Sequence, residues 1–205
     1  PIRSTVLRTS TSSGQGCKAV TLLYPFDADL DPAVRVRLLG AKAAGLHEMT
    51  ELGIPVPPGF TITTEVGAEF RSAGTWPKGL REGVNRAIAE LEARLGKGFG
   101  DASSPLLLSV RSGAPISMPG MMDTLLNIGL NDETLPGLAS RHGNERFALD
   151  AYRRVLQMYG TVVRGIPVDR FQFRLNDLKN QLGRPRMSDS DLDSAAIRHL
   201  VADYQ

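Results

Sequence analysis

The sequence predicts an α+β fold that carries a helical subdomain towards its C-terminal end. Short β-prone runs alternate with helical patterns as far as residue 131, and only helical patterns follow. The first residues are rich in Ser and Thr and show neither pattern. We therefore expect a flexible tail over 1–18, an α+β subdomain over 19–131 and a helical subdomain over 132–205.

The α+β part contains seven predicted elements. Strands are expected over 19–24, 60–63, 106–111 and 125–130, and helices over 38–53, 65–72 and 79–96. In the first helix Leu46, Met49 and Leu52 recur at helical spacing, which is the pattern that predicts this helix. Gly53 supplies a stop after that helix, and Thr64 is expected to cap the next one.

The helical part contains four predicted helices, over 132–140, 144–164, 169–182 and 188–204. The second of them places Phe147, Ala151, Val155 and Met158 on one face, with Arg153-Arg154 opposite. The run Ser188-Asp189-Ser190-Asp191 is typical of an N-cap, so we expect it to begin the last helix.

Composition restricts the class of protein without indicating its chemistry. Hydrophobic residues make up 41% and charged residues 22% of the 205, as in soluble globular proteins. The net charge of +2 gives no reason to expect nucleic acid or a membrane as partner, and no apolar run is long enough to span a bilayer. Cys17 is the single cysteine, which excludes an internal disulfide and favours a cytoplasmic location.

The run GAKAAGL, residues 40–46, is the first candidate for a binding site. Lys42 stands among small residues at the N-terminal end of a predicted helix, where the helix dipole favours anions. A phosphate there would bind both the lysine and the free amide groups of the first turn. The alternative is a solvated surface lysine beside a tightly packed helix start.

The second candidate is SVRSGAPISMPGMMDT, residues 109–124. Arg111 ends a predicted strand and can present its planar fork to two phosphate oxygens. Gly113 and Gly120, with two prolines, are typical of a loop that exposes amide groups to an anion, and Ser117 or Thr124 could add a hydroxyl donor. The alternative is a structural arginine that pairs with a carboxylate.

Three methionines make this loop unusual, at Met118, Met121 and Met122. Exposed methionine is unfavourable in a loop, so we expect the segment to close over an adenine or to pack against a partner segment.

Other catalytic patterns are missing from the sequence. There is no Walker A loop, no Gly-rich dinucleotide fingerprint and no zinc-ligand spacing. His47, His142 and His199 are isolated, and each is expected to be a surface or capping residue. Asp132 and Glu133 are expected to be solvated, so we predict neither a catalytic residue nor a metal site.

Three longer runs closely resemble the N-terminal nucleotide-binding region of the pyruvate, phosphate dikinase family. They are LLGAKAAGLHEMTELGIPVPPGFTITTE, PLLLSVRSGAPISMPGMMDTLLNIGLND and GNERFALDAYRRVLQMYGTVVRGI. The resemblance extends over roughly residues 20–205, and the methionine-rich loop separates this family from the related phosphoenolpyruvate synthases.

The resemblance implies an incomplete ATP-grasp nucleotide-binding domain, in which two subdomains close on ATP. The family converts ATP, inorganic phosphate and pyruvate to AMP, diphosphate and phosphoenolpyruvate through a phosphohistidine on a separate domain. It also implies that Lys42 and Arg111 contact phosphate and that a loop folds over the phosphates. The loop residues concerned are Ser117, Gly120, Met121, Met122, Asp123 and Thr124. The chain departs from the family at Ala41 and Ala43, where glycine is usual, and at Gly45, where asparagine is usual.

The resemblance further implies that essential parts lie beyond residue 205. These are the ligands for Mg²⁺, the phosphohistidine domain and the pyruvate-binding barrel, so we expect an N-terminal piece of a longer enzyme that is inactive by itself. Its expected partners are ATP, phosphate and the remaining domains, and a homodimer is one option for the full-length form. Two alternatives stay open: a non-catalytic ATP-grasp-like binding or regulatory module, and a related phosphotransferase with another acceptor.

Overall fold

The computed structural model describes residues 22–113 and 124–205, and within them the predicted α+β class is confirmed. The strands are β1 Leu23–Pro25, β2 Phe60–Ile62, β3 Leu108–Arg111 and β4 Thr124–Ile128. The helices are α1 Pro32–Leu39, α2 Ala41–Glu51, α3 Thr64–Ala73, α4 Leu80–Leu95, α5 Leu135–His142, α6 Glu145–Val162, α7 Val168–Gln181 and α8 Ser194–Tyr204. No helix in these two ranges is long and apolar enough to cross a membrane.

The described residues form two compact units. Unit 1 contains 22–95 with 112–113, and unit 2 contains 96–111 with 124–205. The boundaries of these units reflect tertiary packing. Strand β4 contacts α6, so the β3–β4 hairpin belongs with the helices of unit 2. The domain division predicted at residue 131 follows the change from strands to helices instead, and it stays a prediction.

Unit 1 is built around a small antiparallel sheet. Strands β1 and β2 pair with Leu23 opposite Ile62, and α4 packs against β1. The buried cluster beneath them contains Leu22, Leu23, Val66 and Leu80, with Phe60 and Val84 packed against it.

The helix predicted over 38–53 is in fact two helices that meet at Gly40. Asp31 begins α1, because its carboxylate accepts a hydrogen bond from the Ala33 amide at 2.9 Å and Pro32 fits the first turn. Gly40 then adopts φ 81° and ψ 160°, a backbone region essentially restricted to glycine. This residue ends α1 and turns the chain into α2.

The predicted cap of α3 is wrong by one residue. Thr63 occupies the N-cap position, and Thr64 is the first helical residue. The Thr64 hydroxyl donates instead to the backbone carbonyl of Arg37 at 2.6 Å, which ties α3 to α1.

Unit 2 combines the β3–β4 hairpin with four packed helices. The hairpin is antiparallel and irregular between Leu108 and Val110. Helix α6 is central, since it packs against β4, α5, α7 and α8. The core is most tightly enclosed at Leu149, Leu192, Ile197 and Leu200.

Two sequence-based predictions for α6 and α8 need correction. On the predicted apolar face of α6, Ala151 and Val155 are buried but Phe147 is 46% exposed. Arg153, predicted on the opposite face, is buried and donates a hydrogen bond to Asp150 at 2.8 Å. The last helix begins at Ser194 rather than 188, since Asp193 accepts from the Ala196 amide. Residues Asp189–Asp191 form a separate 3-10 turn that Ser188 caps.

Candidate functional site

Lys42 lies in the first turn of α2, at the end where the sequence predicted it. Its side chain is exposed and has no hydrogen bond or ion pair to another described residue. The N-cap residue, Gly40, has no side chain to cap the helix, and the first turn of α2 contains no acidic residue. The positive end of the helix dipole and the lysine ammonium therefore act together on any anion placed there.

Gly113 brings the beginning of the methionine-rich loop to the α1–α2 junction within unit 1. A Cβ atom at Gly113 would lie 3.6 Å from the carbonyl oxygen of Leu39, which is an ordinary van der Waals contact. The chain therefore passes close to the residue that precedes Gly40, three positions before Lys42.

Arg111 is the last residue of β3, in unit 2, as predicted for a strand end. Its side chain is exposed, and in the described part of the chain no carboxylate pairs with it. Thr124 is its Cα partner in the β3–β4 hairpin, so two of the predicted phosphate-binding residues are cross-strand neighbours. A guanidinium and a hydroxyl in this arrangement offer donors to the same anion.

The remaining candidates are not described by the structure. Ser117, Gly120, Met121, Met122 and Asp123 lie outside the described residues. For these five, as for Lys42, Arg111 and Thr124, the role in binding stays a prediction.

His47 was predicted to be a surface or capping residue and is instead completely buried, with 0% of its surface exposed. It lies on the inner side of α2 with Ala44, and the Phe26 ring approaches it edge-on at 6.0 Å between ring centroids. Neither ring nitrogen has a hydrogen-bond partner among the described residues. Burial, reinforced by the nearby charge of Arg35, lowers the pKa of His47.

The apolar residues whose spacing predicted this helix do not mark its inner side. Leu52 is 71% exposed and Met49 is exposed too, whereas Ala44 and His47 are buried. The other two histidines, His142 and His199, are exposed as predicted.

Arg35 is a second residue that the sequence analysis missed. Its guanidinium is buried, donates from Nη1 to Glu51 Oε2 at 2.9 Å, and contacts the other oxygen of Glu51 through Nη2. Nη2 also donates to the carbonyl of Leu30 at 2.8 Å. These hydrogen bonds raise the pKa of Arg35 and lower the pKa of Glu51, and they join α1 to α2.

The described residues do not offer a metal centre. Among them no group of three or more His, Cys, Asp or Glu side chains could hold a metal ion. Asp132 and Glu133 are exposed, as the sequence predicted.

Comparison with known proteins confirms the predicted resemblance to the pyruvate, phosphate dikinase family. Residues 36–78, which include Lys42, match the family described as pyruvate phosphate dikinase, AMP/ATP-binding domain. The chain is 50% identical over 169 residues to pyruvate, phosphate dikinase of Giardia intestinalis, covering 82% of this chain and 19% of that protein.

Two further relatives give the same result. Identity is 48% over 169 residues to the chloroplastic pyruvate, phosphate dikinase 1 of Arabidopsis thaliana, covering 82% of this chain and 17% of that protein. It is 48% over 168 residues to pyruvate, phosphate dikinase of Rhizobium meliloti, covering 82% and 18%. The chain thus spans about a fifth of the length of the curated relatives that it matches.

Proposed function

We propose that this chain is the nucleotide-binding part of a pyruvate, phosphate dikinase and that it binds ATP. The observation that carries the proposal is 50% identity over 82% of the chain to a protein of that name. The match of residues 36–78 to an AMP/ATP-binding domain supports the choice of nucleotide.

The activity of the whole protein is part of the same proposal. It would convert ATP, inorganic phosphate and pyruvate to AMP, diphosphate and phosphoenolpyruvate, with a phosphohistidine on another domain carrying the phosphoryl group. The ATP-grasp fold, a homodimeric full-length form and a cytoplasmic location complete the proposal. The fold and the homodimer rest on the family resemblance, and the location rests on composition.

The residues of this chain would contribute binding and neutralisation of charge. The Lys42 ammonium supplies a compact charge beside uncapped amides, whereas the Arg111 fork can bind two phosphate oxygens at once. Phosphoryl transfer depends mainly on such positioning and on neutralising the phosphate oxygens. The described residues do not fit a magnesium site, so no step is assigned to a metal here.

Titration of the ¹⁵N-labelled protein with ATP tests the proposal. We expect ATP to shift the amide signals of Ala41, Lys42 and Ala43, because these groups begin α2 and have no side-chain cap. Inorganic phosphate should shift the same signals at higher concentration. ATP binding that leaves all three signals unchanged, or no binding at all, would count against this function.

We expect the 205-residue chain to carry no phosphoryl group on its own histidines. His47 is buried, and the two exposed histidines, His142 and His199, lie in α5 and α8 rather than in α2, the helix that contains Lys42. Incubation with ATP labelled on its β-phosphate should therefore leave no acid-labile label on the protein. Stoichiometric labelling of any of the three histidines would indicate a different enzyme.

A further inference from the structure

We infer that Arg35 is a positioning residue for Lys42. Its buried guanidinium fixes the direction of α2 relative to α1 and thereby orients the Lys42 ammonium and the first-turn amides. The inference rests on the proposed function, because it assigns Arg35 a part in binding ATP without any contact to the nucleotide.

Arg35 has the contacts of a clamp between two helices. Only 5% of the surface of Arg35 is exposed. Its side chain extends from α1 and contacts both carboxylate oxygens of Glu51, which lies in the last turn of α2. The additional bond to the Leu30 carbonyl holds the same planar group from the segment before α1. A guanidinium bound at three acceptors has one orientation, so the two helices are held at one angle.

The junction between the helices makes this clamp necessary. Gly40 is the single residue between α1 and α2, and it has no Cβ that would restrict rotation about its backbone. Glu51 lies nine residues beyond Lys42, about 13.5 Å along a straight helix. The Arg35–Glu51 pair therefore fixes α2 at the end opposite the junction, in addition to the contacts of its buried inner side.

Lys42 depends on that direction because no other described residue binds its side chain. Its side chain makes no hydrogen bond or ion pair within the described ranges 22–113 and 124–205, so the helix alone determines where the ammonium can reach. A rotation of roughly 10° would move an ammonium about 6 Å from the junction by about 1 Å, and errors of that size matter for bound phosphates.

Arg37 provides a matched control on the same helix. Its guanidinium is exposed and lies 3.5 Å from Glu65 of α3, so it makes no link to α2. The tie between α1 and α3 uses the backbone carbonyl of Arg37 and survives a change of its side chain. Arg35→Lys and Arg37→Lys thus remove the same fork and keep the same charge, but only the first removes the clamp.

A double-mutant cycle on the 205-residue protein tests the inference. Calorimetry would measure ATP affinity for the unmodified protein, Arg35→Lys, Lys42→Ala and the double variant, below the melting temperature of each. We expect Arg35→Lys to weaken ATP binding about tenfold and Arg37→Lys to leave it unchanged. In the Lys42→Ala background, Arg35→Lys should cause a clearly smaller loss, because only the first-turn amides remain of the groups that it orients.

The outcomes separate this inference from the proposed function. If Arg35→Lys leaves the affinity unchanged, or if its effect multiplies with that of Lys42→Ala, Arg35 has a structural role only and the inference fails. If Lys42→Ala itself does not change ATP affinity, the role proposed for Lys42 fails first. Should Arg35→Lys not fold, Glu51→Gln replaces it in the cycle, since that side chain is half-exposed and keeps one acceptor oxygen.

Discussion

Arg111 and Thr124 are Cα partners at the end of the β3–β4 hairpin. They are the last described residue of β3 and the first of β4, so the methionine-rich loop begins and ends beside them. Cross-strand partners have Cβ atoms about 5 Å apart, which lets a guanidinium and a hydroxyl donate to one anion. The hairpin thereby joins two residues that the sequence placed 13 positions apart.

Arg111→Lys should weaken ATP binding by about 1–3 kcal/mol, because an ammonium cannot reproduce two parallel hydrogen bonds to phosphate. Calorimetric titration with ATP measures the change. Arg170→Lys is the control in the same unit, since Arg170 is exposed and has no ion pair to a described residue. Equal affinities for Arg111→Lys and the unmodified protein would remove Arg111 from the site.

Lys42→Ala should weaken ATP binding by a similar amount, about 1–3 kcal/mol, the size of a charged hydrogen bond. The melting temperature should stay the same, because the side chain is exposed. Lys78→Ala removes another exposed lysine of unit 1 and should leave the affinity unchanged. A loss of the same size in both variants would indicate a general effect of net charge.

The stability of unit 1 should fall as the pH is lowered through the range below about 6.5, the usual pKa of histidine. His47 is buried, so its pKa is lower in the folded chain than in the unfolded chain. In that range the unfolded chain therefore binds more protons, and stability rises with pH and is lost as the pH falls. Arg35 also opposes protonation of the ring, whereas the carboxylates of Glu51 and Asp27 each favour it to a smaller extent.

Thermal melting between about pH 7.5 and pH 5.5 checks this dependence on His47. His47→Leu removes the titrating ring from the core, so its melting temperature should fall less over this range than that of the unmodified protein. His199→Gln, at an exposed position, should keep the full dependence. An unchanged slope in His47→Leu would mean that another group titrates.

Gly137→Ala should destabilise unit 2 by about 1–3 kcal/mol, the usual effect of overpacking. Gly137 lies in the first turn of α5, where an added Cβ would clash with the backbone carbonyl of Ala102. Backbone cannot move aside as a flexible side chain can. Denaturant unfolding measures the loss, and Ser140→Ala, at an exposed site on the same helix, should change stability little. A stable Gly137→Ala variant would contradict the close packing of α5.

The elements that sequence predicted best are those with strong local signals. Helix α4 was predicted over 79–96 and spans Leu80–Leu95, because its apolar spacing is regular and Gly96 follows it. The break between α1 and α2 was missed because the same run contains two glycines. Gly40 takes a positive φ and ends a helix, whereas Gly45 continues one, and local sequence does not distinguish them.

The sequence predicted where Lys42 and Arg111 lie within their own secondary-structure elements, but it did not predict the tertiary contacts that surround the candidate site. Lys42 lies at a helix start and Arg111 at a strand end. Both positions could be predicted because they depend on the neighbouring residues in the sequence. The Arg35–Glu51 pair joins residues 16 positions apart, and His47 is buried by Phe26 and other residues distant in sequence. Tertiary contacts of this kind produce no periodic pattern in the sequence from which they could be predicted.

The backbone of Gly40 has a consequence for the gene that encodes it. Every other amino acid that a single base change can produce from a glycine codon carries a Cβ, and none of them readily adopts φ 81° with ψ 160°. A saturation library at this codon, selected for folded protein, should therefore return glycine almost alone. At the neighbouring codon for Ala41, which begins α2, glycine and serine should be recovered as well.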